Sequence, residues 1–169
     1  MLDHPISVRS WPGRGSVFGI RVPLAETAAP AKPARAAAPA GDLGGLKVLC
    51  LDNDREILDG MEALLGRWGV DVRVAETVAG ALAQARDSRP DVLVADYHLH
   101  DELDGLGALV ALREVCGPHT PAVPVTADGS DTVKRAAREL GIPVLTKPVK
   151  PASLRAFLAA QQRRVAGLV

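Results

Sequence analysis

The stretch Val92-Leu-Val-Ala-Asp-Tyr97 decides the fold class of this chain. Consecutive apolar residues that include β-branched valines are typical of a strand buried on both faces. The run ends on a single carboxylate, that of Asp96, and an open α/β sheet presents its functional groups at the carboxyl ends of its strands. The stretch therefore predicts a central parallel strand with a candidate reactive group, Asp96, at its tip.

Five short apolar runs alternate with five amphipathic segments from Leu46 onward. The runs are residues 48–51, 70–74, 92–95, 122–125 and 142–145. The segments between them carry apolar residues at helical spacing, as residues 57–65 illustrate. Strict alternation predicts parallel strands joined by right-handed crossovers, with helices on both faces of the sheet. We expect an α/β fold of the flavodoxin-like (βα)5 type, with strand order 2-1-3-4-5.

A linker separates this part of the chain from a short N-terminal segment. Residues 27–44 are rich in Ala and Pro and poor in large apolar residues, a composition that cannot offset its ordering entropy. Residues 1–26 contain a glycine-rich turn and an alternating apolar strand, which together are too short to bury a core. We expect a β remnant at 1–26, the linker at 27–44, the main domain at 45–165 and a tail at 166–169.

Composition excludes several classes of partner. Twenty basic and twenty acidic residues leave no net charge, whereas a nucleic-acid surface requires a basic stripe. No apolar run approaches the roughly 18 residues of a membrane span, so we expect no direct membrane contact. Cys50 and Cys116 lack metal or redox spacing, and Cys50 lies in an apolar run. A reducing cytosol fits these cysteines best, and we expect a cytoplasmic location.

Polar residues follow four of the five predicted strands. Asp52 and Asn53 follow the first strand, Asp96 the third, Thr126 the fourth and Lys147 the fifth. In the order 2-1-3-4-5 the first and third strands are neighbours, so Asp52 and Asp96 should lie side by side. Adjacent carboxylates repel each other, and a hard divalent cation such as Mg²⁺ relieves the repulsion.

This arrangement predicts phosphoryl transfer to Asp96, which would become an acyl phosphate. Lys147 would place its ammonium against the phosphoryl oxygens, and Thr126 would donate a hydroxyl hydrogen bond. Asp52 and Asn53, together with Asp96, would hold Mg²⁺. The other groups act by positioning and charge stabilisation, because phosphoryl transfer needs little covalent work beyond an in-line nucleophile.

The motifs at the strand ends resemble the receiver domain of two-component signalling over residues 46–160. They are Asp52-Asn-Asp54, the run around Asp96 with Gly105 downstream, Pro124-Val-Thr126-Ala and Leu145-Thr-Lys147-Pro148. The resemblance implies that Asp96 is phosphorylated, that His98 lends a backbone carbonyl to Mg²⁺ and that the Lys147–Pro148 bond is cis. It implies Thr126 and Lys147 as switch and phosphate-binding residues. It also implies a histidine kinase or histidine phosphotransfer domain as partner, and it allows a homodimer.

The N-terminal segment resembles a different family. Ser10-x-x-Gly13-x-Gly15-Ser16-x-Phe18, followed by a strand ending at Val22-Pro-Leu24, is similar to the last glycine box and closing strand of a histidine-kinase ATPase domain. The order of segments is then that of the C-terminus of a hybrid histidine kinase. The sequence contains neither an asparagine-bearing ATP box nor a His-Glu phosphoacceptor helix. We expect no kinase activity, only phosphorylation and dephosphorylation at Asp96.

Three features depart from the common receiver pattern. Asn53 brings no charge to the acidic site, so we expect lower Mg²⁺ affinity unless Asp54 contributes. Val144 occupies the position where receiver domains often have an aromatic side chain that moves together with the threonine, here Thr126. This weakens the expectation of the usual coupling between these two positions. His98 and Asp128 stand two residues beyond Asp96 and Thr126. We interpret them as setting the lifetime of the acyl phosphate, which dephosphorylation half-lives of their alanine variants would test.

Two other functions remain open at this stage. Leu51-Asp-Asn-Asp54 also resembles the start of a haloacid-dehalogenase-type phosphatase, with Asp52 as nucleophile and Asp54 as acid/base. That fold needs an acidic motif after the lysine, and no Asp or Glu follows Lys147. A receiver-like interaction module that is never phosphorylated fits the Asn53 and Val144 departures. We predict that Asp54 caps the first helix, and we assign no role to His100, which reads as a solvated loop residue.

Overall fold

The computed structural model describes residues 5–22, 43–127, 130–165 and 167. The chain divides into two compact units, Met1–Pro39 and Ala40–Val169. Much of the predicted linker, the predicted residue Asp128 and most of the predicted tail lie outside the described residues. None of the helices formed by the described part of the chain has the length and apolar character needed to cross a membrane.

The first unit contains a two-stranded antiparallel hairpin. Strand β1 spans Ile6–Trp11 and strand β2 spans Gly15–Ile20, joined by a turn in which Gly13 has φ +70°. Ile6 pairs with Ile20 and Val8 pairs with Phe18, so these four side chains share one face. All four are 56–72% exposed, which agrees with the expectation that this segment cannot bury a core by itself.

The second unit is the predicted (βα)5 domain. Its elements are β3 (Lys47–Leu51), α1 (Arg55–Gly66), β4 (Asp71–Ala75), α2 (Val78–Ser88), β5 (Val92–Asp96), α3 (Gly105–Cys116), β6 (Ala122–Thr126), α4 (Asp131–Glu139), β7 (Leu145–Thr146) and α5 (Pro151–Val165). The five strands form one parallel sheet in the order β4-β3-β5-β6-β7. This is the predicted order 2-1-3-4-5, and the flavodoxin-like fold is confirmed.

Alternate residues of each central strand face opposite sides of the sheet and build two apolar clusters. Val48 and Val94 pack with residues of α1 and α5, whereas Leu49 and Leu93 pack with residues of α2 and α3. The buried alanines of α2 are fully covered, which compensates for the small apolar face of that helix. Helices therefore cover both faces of the sheet, as the alternation predicts.

The interior of the domain includes residues from the predicted linker and from a cysteine-bearing strand. Leu43 is fully buried, and its backbone N–H donates to the carbonyl of Trp68, so this residue, two positions before the predicted domain start, belongs to the core. Burial raises the pKa of the Cys50 thiol to about 12, with the nearby carboxylates of Glu62 and Asp52 adding to the effect. Cys50 therefore stays protonated and serves as a small apolar side chain, as expected.

The last strand is shorter than predicted and lies further along the chain. The apolar run predicted a strand over 142–145, whereas β7 spans only Leu145–Thr146. The N–H of Ile142 donates to the carbonyl of Ala137 and so completes the end of α4, and Pro143 has no N–H to donate to a ladder. Ile142 is nevertheless buried in the core, which explains why it reads as a strand residue in the sequence.

Candidate functional site

The carboxyl edge of the sheet collects the predicted polar residues. Asp52 follows β3, Asp96 ends β5, Thr126 ends β6 and Lys147 follows β7. Leu51 pairs with Ala95, which places Asp52 and Asp96 at the ends of neighbouring strands. Asp52 is 6% exposed, Asp96 is 7% exposed and Thr126 is fully buried. The structure therefore brings together the four residues that the strand ends predicted.

The ammonium of Lys147 joins the two carboxylates. Its Nζ lies 2.9 Å from Oδ1 of Asp96 and 3.5 Å from Oδ2 of Asp52. The backbone N–H of Lys147 donates to the carbonyl of Thr126 at 2.7 Å, which fixes where the side chain starts. Burial lowers the pKa of Lys147, but its hydrogen bond to Asp96 and the charges of both aspartates outweigh this and raise the pKa above its ordinary value. Lys147 is therefore a fixed cation at the mouth of the site.

The surroundings of Asp52 raise the pKa of its carboxyl group. Burial raises the pKa of Asp52 above its ordinary value, and the charge of Asp96 adds to the effect. The N–H of Asp54, which donates to Oδ1 of Asp52 at 2.9 Å, and the ammonium of Lys147 both oppose the rise without cancelling it. Two carboxylates face one ammonium, so one excess negative charge remains buried, and a bound cation would relieve it.

The donor set fits a hard divalent cation. Oδ1 of Asp96 is inaccessible to solvent, and the Lys147 ammonium lies 2.9 Å from it. No group of three or more His, Cys, Asp and Glu side chains is arranged for a metal within the described ranges. Asp52, Asp96 and the amide of Asn53 would supply only a few oxygen ligands, and Mg²⁺ is a cation that keeps several of its waters in such sites.

Asp54 does not contribute to this donor set, because its side chain caps a helix. Its Oδ1 accepts a hydrogen bond from the N–H of Glu56 at 2.9 Å, and Asp54 is the N-cap of α1. The predicted cap is confirmed. The acid/base role that the phosphatase alternative requires of Asp54 is therefore unsupported, since the carboxylate points at a helix end.

The remaining predicted residues occupy the loops around the site. His98 is exposed and lies just after β5, with its ring perpendicular to that of Tyr97 and 4.9 Å between the ring centroids. The Lys147–Pro148 peptide bond is cis, as the resemblance implies. Val144 is half-buried just before β7. Asp128 lies outside the described residues, so its predicted role stays a prediction.

One contact at the site was missed from the sequence. Nδ2 of Asn53 lies 3.1 Å from Nδ1 of His100, which joins the loop after β3 to the loop after β5. His100 was expected to be a solvated loop residue, and it is indeed exposed. Nothing in the local sequence signals the pairing, because the two residues are 47 positions apart.

An apolar cavity of about 310 Å³ opens beside the carboxylates. Ile57, Met61 and Leu64 of α1 line one side, and Pro148 and Val149 line the other. Asp52, Asp96 and Lys147 line the same cavity and form its polar part. The carboxyl edge of the sheet therefore adjoins a surface that can receive an apolar side chain.

Replacing Asp52 with Asn should stabilise the protein at neutral pH in the absence of divalent cations. The raised pKa of Asp52 means that the folded state holds the proton more tightly than the unfolded state. Its contribution to stability is thus present below the ordinary value of 3.8 and is lost as pH rises through the folded-state pKa. We expect a higher urea midpoint for Asp52→Asn at pH 7, with the difference shrinking towards pH 4.

Millimolar Mg²⁺ should reverse the order of the two proteins, because a ligand that binds only the folded state stabilises it by mass action. The wild type should gain stability and Asp52→Asn should gain less. Glu114→Gln, which removes a charge from an exposed position of α3, is the matched control and should show neither effect. An Asp52→Asn variant that is less stable than the wild type at pH 7 without Mg²⁺ would contradict the assignment.

The fold and the site together define the class of this protein. A parallel (βα)5 sheet whose carboxyl edge holds two buried carboxylates and a lysine is the architecture of a receiver-type signalling domain. The chain belongs to the response regulator receiver domain family, whose sequence model matches residues 48–159. Its role is accordingly that of a receiver domain in two-component signalling.

Relatives and solved structures agree with this membership. The chain is 34% identical over 119 residues to the transcriptional regulatory protein PrrA of Mycobacterium tuberculosis, covering 70% of this chain and 50% of PrrA. It is 34% identical over 118 residues to the response regulator protein PilR of Pseudomonas aeruginosa, covering 69% of this chain and 26% of PilR. The chain thus spans half or less of the length of these relatives.

Two solved structures show the same architecture. The receiver domain of the Francisella response regulator 1452 is 28% identical with a TM-score of 0.64, covering 71% of this chain and 98% of that one. The chemotaxis protein CheY4 of Vibrio cholerae is 27% identical with a TM-score of 0.62, covering 68% of this chain and 97% of that one. The match spans nearly the whole length of both solved chains.

Proposed function

We propose that Asp96 accepts a phosphoryl group from a phosphohistidine and that the acyl phosphate changes how this domain contacts its partners. One observation carries the proposal: the buried carboxylate of Asp96 lies beside that of Asp52, with the Lys147 ammonium in contact with both. A buried acid next to a second acid and a fixed cation is poised for phosphoryl chemistry rather than for a purely structural role.

The transfer requires one bond to form and one to break. A carboxylate oxygen of Asp96 attacks phosphorus, an O–P bond forms as the N–P bond of the phosphohistidine breaks, and the imidazole leaves with the bonding electron pair. The Lys147 ammonium neutralises charge on the phosphoryl oxygens, which is the main contribution that a protein makes to this reaction. Thr126, which is buried at the end of β6, would donate its hydroxyl to the phosphoryl group.

We infer Mg²⁺ as the cofactor. Asp52, Asp96, the amide oxygen of Asn53 and the backbone carbonyl of His98 would hold it. When bound, Mg²⁺ supplies positive charge that screens the two carboxylates from each other and from the incoming phosphoryl group. The excess buried negative charge and the solvent-inaccessible Oδ1 of Asp96 support this assignment. Because Asn53 contributes no charge, the affinity for Mg²⁺ should be modest.

The phosphodonor we propose is a histidine kinase or a histidine phosphotransfer domain. The apolar cavity between α1 and the loop after β7 supports this, because it offers apolar contacts for a partner's side chain beside the Asp96 carboxylate. We place the chain at the C-terminus of a hybrid histidine kinase, in the cytoplasm, with no kinase activity of its own. The exposed apolar face of the hairpin is consistent with a piece of a larger sheet.

The test is phosphorylation by a small-molecule donor. The purified chain is incubated with Mg²⁺ and acetyl phosphate and followed by intact mass, with EDTA-treated protein as the control. We expect one phosphoryl adduct per chain that requires the metal and is lost on treatment with hydroxylamine, as acyl phosphates are. If no adduct forms and beryllofluoride also leaves the tryptophan fluorescence of the protein unchanged, the receiver-like module that is never phosphorylated would be favoured.

A further inference from the structure

The contact between Asn53 and His100 suggests a function for His100, to which the sequence assigned no role. Asn53 lies in the loop after β3 and His100 in the loop after β5, with 3.1 Å between Nδ2 of the amide and Nδ1 of the ring. An Asn side chain has one end that can ligate a cation, its oxygen, and one end that repels it, its NH₂ group. Which end faces the acidic site therefore decides whether Asn53 helps or opposes a metal.

The loop that carries His100 is anchored by hydrogen bonds of residues before and after the histidine in the chain. Oδ2 of Asp101 accepts a hydrogen bond from the N–H of Val78 at 2.8 Å, which ties the loop to the first residue of α2. The N–H of Gly105 donates to the carbonyl of Tyr97 at 2.9 Å and closes the loop at its base. His100 is thus presented to Asn53 by an anchored segment, although its ring is exposed.

We propose that His100 is a positioning residue for the metal site. Its Nδ1, as a hydrogen-bond acceptor, engages the NH₂ group of Asn53 and leaves the amide oxygen as the end available to Mg²⁺. This inference rests on the proposed function, since it assigns a role towards the inferred cofactor. Partners of this kind that orient a metal ligand typically change metal affinity by roughly 10–100-fold when they are removed.

A specific dependence on the residue at position 53 follows from this role. A carboxylate presents oxygen whichever way it turns, so an Asp at this position would need no partner to orient it. An amide does need one. The histidine should therefore matter for the native chain and cease to matter in an Asn53→Asp background, whereas a histidine that merely stiffens the loop would matter equally in both.

The experiment is a double-mutant cycle read by Mg²⁺ affinity. Dissociation constants are measured by isothermal titration calorimetry at about pH 8. The proteins are the wild type, His100→Ala, Asn53→Asp and the double variant. We expect His100→Ala to weaken Mg²⁺ binding about 10-fold in the native background and less than about twofold in the Asn53→Asp background. His100→Gln, whose amide oxygen can accept the same hydrogen bond, should restore most of the affinity.

Each other result counts against the inference in a distinguishable way. Equal weakening in both backgrounds would assign His100 to loop stiffness, and no weakening in either would remove its role. In both cases a wild type that binds Mg²⁺ and forms the phosphoryl adduct leaves the proposed function standing. A wild type that neither binds Mg²⁺ nor forms the adduct would overturn the proposed function together with this inference.

Discussion

Replacing Asp96 with Asn should abolish the phosphoryl adduct within the detection limit of intact-mass analysis. The amide is nearly isosteric with the carboxylate but is neutral and a poor nucleophile, so no acyl phosphate can form at this position. The same variant removes one of the two negative charges that meet at Lys147, so it should fold normally. Acetyl phosphate and Mg²⁺ are supplied to the wild type and the variant under identical conditions.

Asp52→Asn is the informative companion to Asp96→Asn. It leaves the proposed nucleophile intact and removes a proposed metal ligand, so we expect the adduct to form at least about 10-fold more slowly and to map to Asp96 by peptide mass analysis. The haloacid-dehalogenase-type alternative makes the opposite prediction, an adduct that survives Asp96→Asn and vanishes in Asp52→Asn. Glu114→Gln should react like the wild type, because that carboxylate is exposed and lies on α3.

Gly105→Ala should destabilise the domain by about 3 kcal/mol or more, the upper part of the range for overpacked sites. Gly105 begins α3 and is buried against the end of β5. A Cβ atom at this position would lie 2.7 Å from Cα of Tyr97 and 2.8 Å from the carbonyl carbon of Asp96, and still closer to the carbonyl oxygen of Asp96. These neighbours are backbone atoms of Asp96, which ends β5, and of Tyr97, which follows it, so they cannot move aside without displacing the Asp96 carboxylate.

Urea denaturation at pH 7 measures this loss, and slower phosphorylation of the surviving folded protein should accompany it. Gly60→Ala is the matched control. Gly60 is exposed within α1, and a Cβ atom there would meet nothing within 4 Å. Because alanine costs less backbone entropy than glycine in a helix, Gly60→Ala should stabilise the domain by about 0.5–1 kcal/mol. Similar stabilities for both variants would show that the β5–α3 junction can relax.

The residues of the candidate site could be predicted because they follow a rule that the local sequence reveals. Strands appear as apolar runs, parallel strands end at the same edge, and a polar residue directly after such a run lies at that edge. Asp96, Asp52 and Lys147 each follow an apolar run, so their meeting required only the strand order. The cap at Asp54 could be predicted for a similar reason, since an Asp immediately before an amphipathic segment satisfies the free N–H groups of the first turn.

Features that depend on the path of a loop relative to distant parts of the chain could not be predicted. Ile142 reads as a strand residue because it is apolar and buried, yet its N–H completes the end of α4, and only the path of the chain decides between these uses. The contact of Asn53 with His100 requires two loops to approach each other across the site, and neither loop carries a local pattern that reports it.

By itself the sequence determined the alternation of strands and helices, the two-sided core and the identity of the residues at the strand ends. The reason is that the spacing of apolar residues close together in the chain shows which of them are buried. Only the tertiary structure decided that Lys147 contacts the carboxylates of Asp52 and Asp96. It also decided that Gly105 lies against the backbone at the end of β5 and that His100 pairs with Asn53. These are distances between atoms far apart in the chain, set by the packing of whole elements. The carboxylate at the tip of β5 was visible in the sequence, whereas its electrostatic surroundings were not.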